Sequence, residues 1–292
     1  MKPFKIFNLF FLTVLLLDAL PTGRAPAKDI KVPAGITYEV HQYRESEPKR
    51  AGQLCVAYPK QTKGRLPVVV FIHGGGWSKG DKDEAAWQAI RMAQSGYVGI
   101  SISYRLTQEA EFPACIEDAK EAIRYIKSIA GQIPGDMNRI GVHGYSAGAH
   151  LALMIGLTAG SESFKSNTYA EYDSSVNCVV AVAAPTGFVA GYGRSGRMSF
   201  LTEAQRNDLV FLKSISPVHW VHAKQPPILI MHGDADRVVS PVNYKNFARV
   251  CESVGVNNLT LSIFEGGDHL FLFKEGKKAR PIADAFFNKH LK

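Results

Sequence analysis

The chain of 292 residues predicts an α/β fold: a mostly parallel sheet of about eight strands with helices on both faces. Three observations carry this reading. From about residue 36, short apolar runs alternate with longer stretches whose apolar residues recur at helical spacing. The run PVVVFI at 67–72 has no polar break, as expected of a strand covered on both faces. Glycine-rich or acidic segments follow several runs, where the ligand-binding loops of such sheets lie.

In order along the chain, 36–40 and 54–58 read as two early strands, antiparallel and at one edge. The strand 67–72 follows, then a helix over 83–94 and the strand 97–103 (YVGISIS). Over 112–129, Ile116, Ala119, Ile123 and Ile126 recur as on one face of a helix. A short strand at 139–143 leads into a helix at 147–157. The runs at 178–183 (CVVAVA) and 228–231 are strands, 241–255 is a helix stopped by Gly255, 259–264 is the last strand, and 279–291 the last helix. Residues 187–216, with Gly187, Gly191, Gly193 and Gly196 and a short helix near 202–212, interrupt the rhythm. They read as a cap-like insertion after the sixth strand, too short to bury a core of its own.

Composition narrows the class. A chain with 46% hydrophobic and 21% charged residues is not disordered, and with Gly 26 and Pro 15 it is neither collagen-like nor a linker. The net charge of +8 comes from scattered Lys and Arg, with no basic helix or zinc-finger spacing, so nucleic acid is not an expected partner. Lys2 and Lys5 precede a short apolar stretch at 6–17, and Ala25-Pro26-Ala27 offers a small-residue cleavage site. Residues 1–27 therefore read as a signal peptide, with an uncleaved membrane anchor as the alternative; cleavage would leave 28–292 as one catalytic domain that is secreted or periplasmic, without stable membrane insertion. Cys55, Cys115, Cys178 and Cys251 could form disulfides in that compartment or stay as buried thiols; their wide spacing does not suggest zinc. No metal and no organic cofactor is expected, and oligomeric state is not readable.

The strongest chemical signal is Gly144-Tyr145-Ser146-Ala147-Gly148 between a strand and a helix. A tight turn there lifts the serine hydroxyl above the sheet, and the flanking glycines relieve its crowding. His73-Gly74-Gly75-Gly76-Trp77 follows PVVVFI. Backbone N–H groups of Gly75 and Gly76, with that of Ala147, could surround a developing oxyanion. Of nine histidines, His269 in Glu265-Gly266-Gly267-Asp268-His269, directly after the last strand, is the expected general base. The acid that orients it should follow the penultimate strand; Asp236 is preferred over Asp234, with Asp268 third. Trp77 and Tyr145 are candidate substrate contacts, Trp77 by stacking on a sugar or aromatic ring unless it packs against the insertion.

These motifs, with Tyr104-Arg105-Leu106, Phe112-Pro113-Ala114 and Asp118, resemble the α/β-hydrolase superfamily. More narrowly, the sequence is similar to the secreted esterase branch related to hormone-sensitive lipase and to bacterial carbohydrate esterases of the feruloyl and acetyl-xylan type. The resemblance covers roughly residues 50–290. It implies an α/β-hydrolase fold, a Ser146–His269–Asp236 triad and an oxyanion hole at Gly75, Gly76 and Ala147. The departure is Ala149, where many relatives carry a second glycine. The expected function is a serine carboxylesterase for short acyl chains, with acetyl or feruloyl esters of plant polysaccharide as candidates. A prolyl-oligopeptidase-type peptidase and a catalytically silent binding protein on the same scaffold are the competing readings. The peptidase ranks lower because little sequence precedes the first strand.

Overall fold

The computed structural model describes residues 30–46, 48–189 and 198–292. The leader at 1–27 and Gly191, Gly193 and Gly196 of the insertion lie outside the described residues. Eight strands occur among the described residues: β1 (Ile36–Gln42), β2 (Gln53–Pro59), β3 (Leu66–Ile72), β4 (Val98–Ile102), β5 (Gly135–Tyr145), β6 (Cys178–Val182), β7 (Ile228–Gly233) and β8 (Leu259–Phe264). The helices are α1 (Ala86–Gln94), α2 (Ala114–Ser128), α3 (Ala147–Thr158), α4 (Glu203–Asn207), α5 (Leu209–Ser214), α6 (Val242–Val254), α7 (Phe271–Lys274) and α8 (Gly276–Leu291).

The strands form one sheet in the order β1-β2-β4-β3-β5-β6-β7-β8. Only β2 runs against its neighbours; every pairing from β4 to β8 is parallel. This is the α/β-hydrolase fold, as expected. Alternation along β3 shows why its run has no polar break. Val68, Val70 and Ile72 enter the apolar layer shared with α2, α3 and α6, while Val69 and Phe71 enter the layer shared with α1 and α8. No helix among the described residues is long and apolar enough to cross a membrane.

Several expected boundaries move for local reasons. β5 begins at Gly135, not 139, because Gly135 pairs with Leu66 across an irregular register before the regular ladder resumes. Its polar start reads as a turn, since Asp136 accepts from Asn138 N–H at 3.0 Å and from Arg139 Nε at 2.7 Å. The single insertion helix is two, α4 and α5, divided at Asp208, whose carboxylate caps α5 by accepting from Val210 and Phe211 N–H. α8 starts at Gly276 and tolerates Pro281 inside it, and α7 was not expected. α6 stops as foreseen: Gly255 takes the left-handed cap with φ 77°. All four cysteines are buried free thiols, so the thiol alternative is the one realised.

Candidate active site

Ser146 sits between β5 and α3 with φ 53° and ψ −118°. A non-glycine residue pays about 1–3 kcal/mol for such a conformation, so its surroundings must enforce it. Ser146 N–H donates to Val182 O at 2.8 Å, tying the turn to the neighbouring strand. The glycines of the motif are required by contact. A Cβ on Gly144 would lie 2.1 Å from Gly148 O, and a Cβ on Gly148 would lie 2.2 Å from Ile72 O. The turn therefore closes only where both positions lack side chains. α3 behind it is buried along its whole length, which fixes the N-terminus that carries the Ala147 N–H.

The oxyanion-side loop leaves β3 at His73. Gly75 has φ 105° and Gly76 φ 59°, and a Cβ on Gly75 would lie 2.3 Å from Lys79 O. Gly75 O accepts from the N–H groups of Ser78 and Lys79, both at 3.1 Å, which folds the loop back. A Cβ on Gly74 would stand 3.5 Å from Ser146 Cβ, so this loop lies against the serine. The N–H groups of Gly75, Gly76 and Ala147 have no acceptor among the described residues. His73 is a structural member: its ring stacks on Tyr104 at 4.3 Å, and burial holds its pKa down at about 4.

On the opposite flank, β7 and β8 end in register, Gly233 beside Phe264. Their following loops are laced together. Asp234 N–H donates to Phe264 O, Ala235 N–H to Gly267 O at 3.0 Å, and Gly266 N–H to Asp234 Oδ1 at 2.7 Å. This lacing carries Asp236 to His269. His269 Nδ1–H donates to Asp236 Oδ2 at 2.7 Å, and Ser146 Oγ–H donates to His269 Nε2 at 3.0 Å. The other oxygen, Asp236 Oδ1, accepts from the N–H groups of Val238 (2.8 Å) and Val239 (2.9 Å). Burial pushes the Asp236 carboxyl upward. The hydrogen bond from His269 and those from Val239 and Val238 outweigh it and hold the group below the usual carboxylate range. It is thus an anion that accepts on both oxygens.

The structure brings together the three side chains expected from the sequence, Ser146, His269 and Asp236. The two rival acids are used elsewhere. Asp234 laces the loop, and Asp268 accepts from Leu270 N–H and Lys274 Nζ. Trp77 needs correction as a substrate contact: it is only 4% exposed. Its ring packs on Phe200 at 4.1 Å and meets Phe112, His150 and Phe188 edge-on, so neither face is free for a sugar. Tyr145 also has a different neighbour from the one expected, because its hydroxyl donates to His269 O at 2.6 Å. His232 was missed. It is fully buried beside the acid, with Nε2 2.9 Å from Val239 O and 3.5 Å from Asp236 Oδ2, and burial keeps it neutral by lowering its pKa. Its signal was its place in the strand before Asp236, four residues earlier. The Tyr104-Arg105 and Asp118 motifs are structural: buried Asp118 accepts from Arg105 N–H at 2.8 Å, from the Arg105 guanidinium and from Arg44. No group of three or more His, Cys, Asp or Glu among the described residues could hold a metal ion.

The fold is that of the α/β-hydrolases, and the site joins a serine, a histidine and an aspartate in one chain of hydrogen bonds. The BD-FAE family model matches residues 54–250, more than half of the chain, and the chain belongs to the BD-FAE family of α/β-hydrolases. It is 28% identical over 236 residues to Esterase LipC of Mycobacterium tuberculosis, a match covering 75% of this chain and 56% of LipC. The chain spans about half the length of the curated relatives it matches. Among solved structures, it is similar to a truncated carbohydrate esterase from gut microbiota, with 26% identity and a TM-score of 0.72, covering 87% of this chain and 96% of that one. It is likewise similar to esterase 2 of Thermogutta terrifontis with butyrate bound, with 26% identity and a TM-score of 0.73, covering 86% and 93% of the two chains. The same esterase phosphoramylated by tabun matches with 25% identity and a TM-score of 0.75, covering 89% and 96%.

Proposed function

We propose that the protein is a serine carboxylesterase for short acyl esters, working through an acyl-enzyme. Ser146 Oγ attacks the ester carbonyl while His269 Nε2 takes its proton. Asp236 holds the imidazole in the reactive tautomer and stabilises the imidazolium that forms. The N–H groups of Gly75, Gly76 and Ala147 donate to the oxyanion, where such preorganised donors contribute most. The imidazolium then protonates the leaving alcohol, and water, deprotonated by the same histidine, releases the acid. The observation that carries this reading is the unbroken hydrogen-bond relay from Ser146 through His269 to the anionic Asp236.

Short acyl groups are favoured by the likeness to the esterase with butyrate bound, and an acetyl or feruloyl ester of plant polysaccharide by the likeness to a carbohydrate esterase and by the family. The basic and apolar leader, followed by Ala25-Pro26-Ala27, supports a secreted or periplasmic enzyme. Purified protein should hydrolyse p-nitrophenyl acetate and butyrate, and the activity should vanish in Ser146→Ala. Acetylated xylan and methyl ferulate, assayed alongside, test the substrate class. Turnover confined to long-chain esters would overturn the short-acyl reading, and turnover of dipeptide anilides without any ester would favour a peptidase. Mass analysis of exported protein tests the leader: retention of residues 1–27 would refute cleavage.

A further inference from the structure

The residue before the nucleophile touches three of the segments that the chemistry needs. Tyr145 ends β5, so its backbone belongs to the turn that holds Ser146. Its hydroxyl donates to His269 O at 2.6 Å, across 124 residues of sequence, and no other donor among the described residues bonds that carbonyl. Its ring lies 5.4 Å from the His269 ring and meets Phe273 edge-on at 5.2 Å. Its Cδ1 reaches the oxyanion-side loop so closely that a Cβ on Gly74 would stand 2.9 Å away. One side chain therefore joins the elbow, the glycine loop and the histidine loop.

We propose that Tyr145 is a positioning residue: its hydroxyl clamps the His269 backbone to the nucleophile turn, so that base and nucleophile keep their 3.0 Å separation. This rests on the proposed roles of Ser146 and His269. The clamp acts on the His269 backbone from the elbow side, whereas the lacing to the β7 loop acts before it, at Gly266 and Gly267, and Asp236 holds only the ring. After His269, Phe271 is buried against Phe264 at 4.5 Å while Leu270 is half exposed and Phe273 exposed, so the packing there anchors the chain two residues beyond His269 and not at the His269 backbone itself. Burial raises the Tyr145 pKa, with the charges of Asp236 and Asp268 adding to it, so the hydroxyl stays protonated and remains a donor.

The test is Tyr145→Phe, which deletes one oxygen and keeps the ring contacts. Reaction rates with p-nitrophenyl acetate are normalised to sites titrated by a fluorophosphonate, and melting temperature is followed beside them. Loosening the base should lower kcat by about 10- to 100-fold, because small misplacements of reacting groups are costly, while KM changes by less than about twofold. The rate of phosphonylation should fall in parallel, since it needs the same activated serine. A Tyr145→Phe enzyme with the wild-type kcat and phosphonylation rate overturns the proposal. So does a raised KM with unchanged kcat, which would make Tyr145 a substrate contact. Ser146→Ala in the same assay separates the two readings. If Ser146→Ala is inactive and Tyr145→Phe is normal, only the clamp fails; if Ser146→Ala retains full activity, the triad itself fails.

Discussion

The two flanks of Ser146 are built from different chemistry. On the histidine side, directional contacts do the positioning: neighbouring strands end in register, backbone groups lace two loops, and each oxygen of Asp236 has its donors. On the glycine-loop side, the loop is backed by an aromatic nest in which Trp77 gathers Phe112, His150, Phe188 and Phe200 from separate segments. A directional network loses its function when one atom is wrong, because buried donors and acceptors then go unpaired. A packed nest responds to volume, and tolerates swaps that preserve it. The first flank should therefore register damage as lost rate, and the second as lost stability.

The largest effects should fall on the polar flank. Ser146→Ala or His269→Ala should each lower kcat on the order of 10⁶-fold, and the double variant should be no worse, because the pair acts as a unit. Additive losses, measured with p-nitrophenyl acetate, would show that the two residues do not share one step. Asp236→Asn should cost on the order of 10⁴-fold with little change in melting temperature. The amide cannot accept on both sides as the carboxylate does. Facing the N–H groups of Val238 and Val239 with its oxygen, it presents an NH₂ to His269 and favours the wrong tautomer. A loss below about tenfold would mean that the acid is dispensable and would blur the contrast between the flanks.

The aromatic flank should give the opposite signature. Trp77→Ala removes a buried ring and should destabilise the fold by about 3–5 kcal/mol in denaturant unfolding. Activity per folded molecule should fall much less than in Asp236→Asn. Trp77→Phe should recover most of the stability, since it refills most of the volume. A Trp77→Ala protein of normal stability and sharply reduced kcat would move Trp77 from packing to chemistry.

The same contrast explains what could be read in advance. Ser146 and His269 were legible as candidates because each sits where local backbone chemistry leaves a signature. Gly144 and Gly148 flank Ser146 because no side chain fits there, and Gly266-Gly267 precede His269 because Gly267 lies where Gly233 leaves room for it. The sheet was legible because β3, β4 and β6 are buried on both faces and need uninterrupted apolar runs. The destination of Trp77 was not legible. Its neighbours come from positions 112, 150, 188 and 200, and nothing local distinguishes a ring that packs from one that stacks on a ligand. The Tyr145 hydroxyl posed the same problem, with its acceptor on a loop 124 residues away. The polar start of β5 was hidden for a different reason, because Asp136 and Arg139 pair with each other and look like a turn.

The last expected effect, smallest at neutral pH, is a pH dependence of stability that again separates the flanks. His73 and His150 belong to the glycine-loop side, the second inside the nest, and His143 lies in the strand beneath. Burial is the leading cause in all three, lowering the pKa from the ordinary 6.5 to about 4. Each is neutral in the folded state, whereas the unfolded chain takes up a proton near 6.5. Their contribution to stability is therefore complete above about pH 6.5 and is lost as pH falls through about 4. Asp236 has the same sign but a lower window, because its folded pKa lies below the carboxylate range. The melting temperature should then begin to fall with acidification while the Asp236 anion is still intact. His150→Phe should flatten that slope. It should also lower the neutral-pH melting temperature slightly, since Ile215 O loses its partner at 2.8 Å. An unchanged slope would show that His150 stays neutral in the unfolded chain or is already charged in the fold, and the nest would not be the acid-sensitive flank.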